Sequence, residues 1–205
     1  MKTIPSIILS FCLIATTIGL SGLYGATASV GEEAPNFTLT DTNGIERTLS
    51  DYAGKTVVLE WINYGCPFVK KHYNSGNMQY LQNTYADKGV VWLSICSSAP
   101  GKQGHMSPDG WNEKTDKVGA SPSAVLIDES GDVGRLYGAR TTPHMYVINP
   151  DGELVYNGAI DSISTARESD IEKAKSYVAL AVDATLAGEP FDPPTSKPYG
   201  CSVKY

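Results

Sequence analysis

The apolar positions along the chain predict buried strands that alternate with helices. Residues 57–62 and 90–95 are short apolar runs with almost no polar alternation, as in strands covered on both faces of a sheet. Residues 124–127 and 145–148 are two further apolar strands, and an Asn-Pro-Asp-Gly turn joins the second of these to a hairpin partner at 154–157. This order predicts an α/β domain with a central mixed β-sheet flanked by helices.

Helix signals fall between these strands. Pro67 suits the first turn of a helix that is predicted to end near residue 88, and weak helical sequence at 74–77 predicts a kink or fraying within it. Shorter helices are predicted at 111–118 and 131–137.

The two ends of the domain also carry local signals. Asn-Gly at 43–44 predicts a hairpin turn that returns as an edge strand at 46–49, which forms an N-terminal hairpin extension. Ser169 and Asp170 are predicted to cap the last helix. The apolar face of that helix would contain Ile171, Ala174, Val178, Ala181, Val182 and Leu186.

The first 28 residues read as a secretory signal peptide. Lys2 precedes an apolar run at 4–20, and Ala-Thr-Ala at 26–28 is a small-x-small cleavage site. A retained membrane anchor is the alternative. We expect an exported protein, periplasmic or extracellular, with no membrane span after cleavage. Cys12 lies inside this segment and takes no part in the chemistry.

Cleavage after Ala28 would leave one domain at 29–188 and a Pro-rich tail at 189–205. The chain has a net charge of -6 and no basic cluster, which gives no electrostatic case for a nucleic-acid partner. Three cysteines remain after export, too few for a disulfide scaffold but suited to a working thiol. The tail ends with two aromatic residues and a cysteine, which favours docking over disorder.

Cys66 lies at the carboxyl end of the first buried strand, at or beside the N-cap of the next helix. Unpaired backbone N–H groups and the positive end of the helix dipole favour a thiolate at this position. A buried structural cysteine is the alternative, and Cys96, which ends the next strand, fits that alternative better.

Several motifs resemble a known family. Gly-Glu-Glu-Ala-Pro-Asn-Phe at 31–37 resembles the Gly-x-x-Ala-Pro-x-Phe with which redoxins and peroxiredoxins begin. Cys-Pro-Phe-Val-Lys-Lys-His-Tyr at 66–73, Thr-Pro-His at 142–144 and Gly-Cys-Ser-Val-Lys-Tyr at 200–205 resemble a bacterial peroxiredoxin-like subgroup. The chain therefore resembles the AhpC/TSA (redoxin) branch of the thioredoxin superfamily, and this resemblance implies a thioredoxin-like fold.

The resemblance also implies roles for particular residues. Pro143 would be the cis proline of a thioredoxin fold, and together with Thr142 and Pro67 it would position a thiol substrate. Apart from the resemblance, His144, directly after it, and His105, in the loop after the second buried strand, are candidate acid/base groups or ligands, and the alternative for each is a surface or hydrogen-bonded histidine.

The cysteine motif differs from the motifs of both thioredoxins and peroxiredoxins. A thioredoxin has a second cysteine where this chain has Val69, and a peroxiredoxin has Thr or Ser where this chain has Asn63. Cys201 in the tail is a candidate for the missing second thiol, which would resolve a mixed disulfide or a sulfenic acid formed at Cys66.

Three functional hypotheses remain open. The first is a thiol-disulfide oxidoreductase that acts on protein or small-molecule thiols and disulfides, uses an external thiol reductant and needs no cofactor. The second is a thiol-dependent peroxidase, an antioxidant that acts on peroxides. The third is a non-catalytic metal carrier in which Cys66 acts with His144 or His105.

Overall fold

A computed structural model describes residues 27–205, so almost all of the predicted signal peptide and Cys12 lie outside the described residues. Nine β-strands are found in this part of the chain, numbered here in chain order. They are β1 (Thr38–Asp41), β2 (Glu46–Thr48), β3 (Val57–Trp61), β4 (Val91–Cys96), β5 (Ala124–Ile127), β6 (Thr141–Thr142), β7 (His144–Ile148), β8 (Leu154–Gly158) and β9 (Cys201–Ser202).

Five α-helices accompany the described strands. They are α1 (Pro67–Asn74), α2 (Asn77–Ala86), α3 (Pro108–Lys117), α4 (Asp132–Leu136) and α5 (Tyr177–Ala187). Two 3-10 helices, Leu49–Tyr52 and Glu168–Lys173, lie in the connections.

The main sheet has the strand order β2-β1-β5-β4-β3-β7-β8. Its centre, β3-β4-β5, is parallel, while β7 pairs antiparallel with β3 and β1 pairs antiparallel with β5. The prediction of a central mixed sheet flanked by helices is confirmed. The N-terminal hairpin is also present, because β1 and β2 pair antiparallel at the edge of the sheet.

Alternation along β3 divides the core between the two faces of the sheet. Val58 belongs to the cluster that packs under α1, α2 and α5, whereas Val57, Leu59 and Trp61 belong to the cluster that contains Tyr137 on the other face. All five positions of β3 are buried. The near-absence of polar alternation in the sequence follows from this two-sided burial.

Two helix predictions need correction. The helix after Cys66 is broken rather than merely kinked, since α1 ends at Asn74 and α2 begins after Gly76, which has a left-handed φ of 76°. The prediction that Ser169 and Asp170 cap the last helix is wrong: they lie in a 3-10 helix, and the Ser176 hydroxyl caps α5 by accepting from the Ala179 N–H. A local cap signal was present at both sites, and packing on the sheet decided between them.

Glu60 lies in the middle of β3 and is completely buried. Its carboxylate accepts hydrogen bonds from Tyr73 Oη at 2.9 Å, Trp92 Nε1 at 2.9 Å and Ser94 Oγ at 3.1 Å. A weaker contact comes from Gln82 Nε2 at 3.5 Å. Burial raises the pKa of Glu60, and these donors oppose the rise. The carboxylate thus links α1, α2 and β4 beneath the end of β3 that leads to Cys66.

Replacing Glu60 by Ala leaves these buried donors without an acceptor. We expect Glu60→Ala to lower the free energy of unfolding by about 3–5 kcal/mol. The matched control, Glu46→Ala on the exposed edge strand β2, should change it by less than about 0.5 kcal/mol. Denaturant unfolding measures both, and equal effects of the two substitutions would contradict this account of Glu60.

Candidate active site

The turn after β3 places Cys66 at the N-cap of α1. The Cys66 N–H donates to Asn63 O at 2.9 Å, and the Gly65 N–H donates to Asn63 Oδ1 at 2.8 Å. Asn63 Nδ2 donates in turn to Gln103 O at 3.0 Å, so the loop after β4 braces this turn. Pro67 occupies the first helical position, where no N–H is needed. The sulfur therefore lies at the positive end of α1, as predicted.

The peptide bond between Thr142 and Pro143 is cis, and it lies against Cys66. The Cys66 thiol donates to Thr142 O at 3.1 Å. The Thr142 hydroxyl is buried and has no hydrogen-bond partner among residues 27–205. Three sequence candidates, Pro67, Thr142 and Pro143, are thus found around the Cys66 sulfur.

The C-terminal tail is docked across this site. β9 pairs antiparallel with β6, with Cys201 opposite Thr142 and Ser202 opposite Thr141. Both Cys66 and Cys201 are free thiols, and Cys66 is 0% exposed. The second thiol therefore reaches Cys66 from the far end of the chain, over the strand that precedes the cis proline.

The surroundings of the two thiols shift their pKa values in opposite directions. Burial raises the pKa of Cys66, but hydrogen bonds to its sulfur, chiefly from the Cys201 thiol and from the Cys201 and Val69 N–H groups, outweigh burial and lower the pKa below the ordinary value. Burial, together with the hydrogen bond to Cys66 and its charge, raises the pKa of Cys201 to about 11. Cys66 is therefore the thiolate of the pair, and Cys201 is its proton-bearing partner.

The two candidate histidines lie elsewhere. His144 is buried in β7, where Nε2 contacts Asn157 Oδ1 at 2.8 Å, and desolvation lowers its pKa to about 4. His105 Nε2 lies 2.8 Å from Glu129 Oε1 and hydrogen-bonds it in the loop after β4. Within the described chain neither histidine hydrogen-bonds Cys66. His144 is neutral at pH 7, and its contacts are those of a structural side chain.

Cys96 also lies apart from the paired thiols. It is 3% exposed, its thiol points to Gly104 O at 3.6 Å, and burial raises its pKa. These contacts match the core role expected for it.

Sequence reasoning missed a buried polar cluster that anchors the tail. Lys71 Nζ donates to Asp161 Oδ2 at 2.8 Å and to Tyr199 Oη at 3.3 Å, and Tyr199 Oη donates to Asp161 Oδ1. The Lys71 side chain is 0% exposed. His72 Nε2 lies 3.4 Å from Tyr199 Oη, and desolvation lowers the pKa of His72 to about 4. Nothing in the local sequence marks this cluster, because its members come from three distant segments.

Residues 27–205 lack two other features. They contain no group of three or more His, Cys, Asp or Glu side chains arranged to hold a metal ion. None of the helices in this range is long and apolar enough to cross a membrane.

A mixed α/β sheet, an N-cap cysteine and a cis proline facing it define a domain of the thioredoxin type. Residues 30–157 match the model of the AhpC/TSA family. The chain belongs to this family, which confirms the resemblance to the AhpC/TSA (redoxin) branch.

Similar proteins agree with this assignment. Thiol-disulfide oxidoreductase ResA of Bacillus subtilis (strain 168) is 30% identical over 127 residues, which cover 62% of this chain and 65% of ResA, just under two thirds of its length. An uncharacterized conserved protein from Geobacillus kaustophilus has a crystal structure with a TM-score of 0.73 at 29% identity, covering 86% of this chain and 92% of that chain.

A hypothetical protein, SMc02350, from Sinorhizobium meliloti 1021 shares the fold with a TM-score of 0.76 at 24% identity, covering 87% of this chain and 96% of that chain. Both solved structures are matched over more of this chain than the family model is. The predicted thioredoxin-like fold is confirmed.

Removing the Cys201 thiol should make Cys66 less acidic. In Cys201→Ala the sulfur of Cys66 loses a donor, so its pKa should rise, whereas Cys201→Ser keeps a hydroxyl donor and should raise it less. The measurement is a pH titration of thiolate ultraviolet absorbance, with Cys66→Ser subtracted to remove the tyrosine background. The wild-type midpoint should lie at the lowest pH of the three proteins. A Cys201→Ala midpoint equal to that of the wild type would contradict the assigned hydrogen bond.

Proposed function

We propose that this protein is an exported thiol-disulfide oxidoreductase in which Cys66 is the nucleophile and Cys201 the resolving thiol. The observation that carries the proposal is the pairing of Cys201 with Thr142, directly over an N-cap cysteine of lowered pKa. The similarity to proteins named thiol-disulfide oxidoreductase supports the same chemistry. The N-terminal apolar run and its small-x-small site support export.

The first step uses the acidity of Cys66. Its thiolate attacks one sulfur of a substrate disulfide, forms a mixed disulfide and releases the other substrate sulfur as a thiolate. Because Cys66 is fully buried beneath the tail, the tail must move before a substrate sulfur can reach it. Thr142 O and the cis peptide that follows it provide the edge along which a substrate backbone can lie.

The second step uses Cys201. Its pKa is raised by burial and also by the hydrogen bond and charge of Cys66, and both of these last effects disappear once Cys66 is in a mixed disulfide. Lys204 acts in the opposite direction and lowers the pKa of Cys201. Cys201 therefore becomes more acidic when a thiolate is needed. It attacks the Cys66 sulfur, expels the substrate thiolate and leaves a Cys66–Cys201 disulfide, which an external thiol then reduces.

The contacts of Asn63 favour this reaction over peroxide turnover. Asn63 stands where a peroxiredoxin has Thr or Ser, and its side-chain amide is already engaged by the Gly65 N–H and Gln103 O. Asn63 is 1% exposed, and its amide oxygen and one of its two amide N–H groups are committed to these contacts, so its side chain braces the turn instead of supplying the hydroxyl of a Thr or Ser. A peroxiredoxin also has an arginine matched to that Thr or Ser, and among residues 27–205 no arginine hydrogen-bonds Cys66.

The roles of the two thiols can be separated with glutathione disulfide. Pre-reduced Cys201→Ser should accumulate a glutathione adduct at Cys66, because the resolving thiol is gone. The wild type should pass through the adduct to an internal disulfide and release both glutathiones. Intact-mass and peptide mass spectrometry distinguish these products.

Two variants provide the controls. Cys96→Ser should behave as the wild type, and Cys66→Ser should form no adduct in the active site. Equal, stable adducts in the wild type and in Cys201→Ser would contradict a resolving role for Cys201.

A further inference from the structure

The last six residues of the tail lie in a groove along the strand that precedes the cis proline. Beyond the β6–β9 pair, the Val203 N–H donates to Arg140 O at 3.1 Å and Tyr205 Oη donates to Ala139 O at 2.7 Å. The segment 200–205 therefore runs antiparallel to 139–142 with its cysteine over Cys66. An extended polypeptide that delivers a disulfide to Cys66 would need this same placement. We call this surface the tail groove.

An aromatic notch lies at one end of the tail groove. The Tyr205 ring packs over Gly134, where an added Cβ would lie 2.6 Å from ring atom Cε1 and 2.7 Å from Ser97 Oγ. The Arg135 guanidinium stacks on the ring, with Cζ 4.6 Å from the ring centroid. The absence of a side chain at 134, the stacked cation and the carbonyl of Ala139 together fit an aromatic ring that carries a hydroxyl.

A steric restriction lies at the other end. Gly200 has a φ of 137°, and an added Cβ would collide with Thr142 O. Only glycine fits directly before the cysteine when the backbone follows this path. The tail groove thus restricts which residue can be bound at two positions, one before the reacting cysteine and one after it.

We propose that the tail groove is a recognition site for a partner polypeptide that carries a disulfide. The segment it accepts is extended, has glycine directly before the reacting cysteine, and has an aromatic residue four positions after it. The tail is an internal copy of this ligand, which the partner displaces. This proposal rests on the proposed oxidoreductase function and names its substrate class.

Displacement need not release the whole tail. Tyr199 is held by the buried pair of Lys71 and Asp161, immediately before Gly200. Cys201 is only two residues beyond this anchor in the sequence. When residues 200–205 leave the groove, the anchor therefore keeps Cys201 close to Cys66.

The electron balance follows that of the proposed function. Cys66 attacks the partner's cysteine sulfur in the groove and releases the other sulfur as a thiolate. Cys201 then attacks Cys66 and releases the partner's cysteine as a second thiolate. Two electrons pass to the partner, and the chain is left with the Cys66–Cys201 disulfide.

Synthetic peptides test the recognition without altering the fold. The substrate is the disulfide-linked dimer of Tyr-Gly-Cys-Ser-Val-Lys-Tyr, and two matched dimers carry Ala in place of the last Tyr or of the Gly. Pre-reduced full-length protein is mixed with each dimer, and peptide thiol release is followed in a single turnover. We expect each Ala peptide to react at least about fivefold more slowly than the parent peptide.

Protein variants locate the aromatic preference. Arg135→Ala should reduce the difference between the Tyr and Ala peptides to less than about twofold, whereas Lys117→Ala, an exposed cation on α3, should leave it unchanged. Equal rates for all three peptides, with release still lost in Cys66→Ser, would overturn the recognition site alone. Absence of any Cys66-dependent release would instead overturn the proposed function.

Discussion

The hydrogen-bonded pair of Thr142 and Cys201 is the contact on which the site depends. It places the Cys201 thiol beside the Cys66 sulfur. The helix position where a thioredoxin has its second cysteine is occupied by Val69 in this chain. Val69 is completely buried, so that position is committed to the core. A two-cysteine cycle on this scaffold therefore needs a thiol from another segment, and the tail supplies it.

Docking the tail creates a conflict that the surrounding contacts resolve. Covering Cys66 removes it from water, which disfavours a thiolate. The same covering segment brings an N–H and a thiol that both hydrogen-bond the sulfur, and their effect exceeds that of desolvation. The acidity of Cys66 and the docking of the tail are consequently coupled, because the segment that removes the sulfur from water also supplies hydrogen bonds to it.

Sequence patterns were sufficient for features built from neighbouring residues. The strands β3, β4, β5 and β7, the hairpin and the N-cap position of Cys66 each follow from a run of apolar residues or a local turn. The break between α1 and α2 was predicted only as a kink or fraying, and the cap of α5 was misplaced, since tertiary packing decides among competing local signals.

The parts of the site that the sequence did not reveal all depend on long-range contacts. The Lys71–Asp161–Tyr199 cluster joins α1, the segment after β8 and the tail. The aromatic residues of the tail predict that it docks, but nothing local identifies Lys71 and Asp161 as the partners of Tyr199. The role of Glu60, which lies within an apolar run, was not predicted either. Its hydrogen-bond donors come from α1, α2 and β4. The periodicity of a single sequence does not encode such long-range contacts.

The central claim is that Cys66 and Cys201 form one redox pair. The most direct measurement is a disulfide map of the purified protein after mild oxidation, with free thiols trapped before digestion and the linked peptides identified by mass spectrometry. The account predicts a Cys66–Cys201 linkage that disappears on reduction while Cys96 stays free. Cys66 remaining unpaired, or joined to Cys96, while Cys201 is free would contradict it.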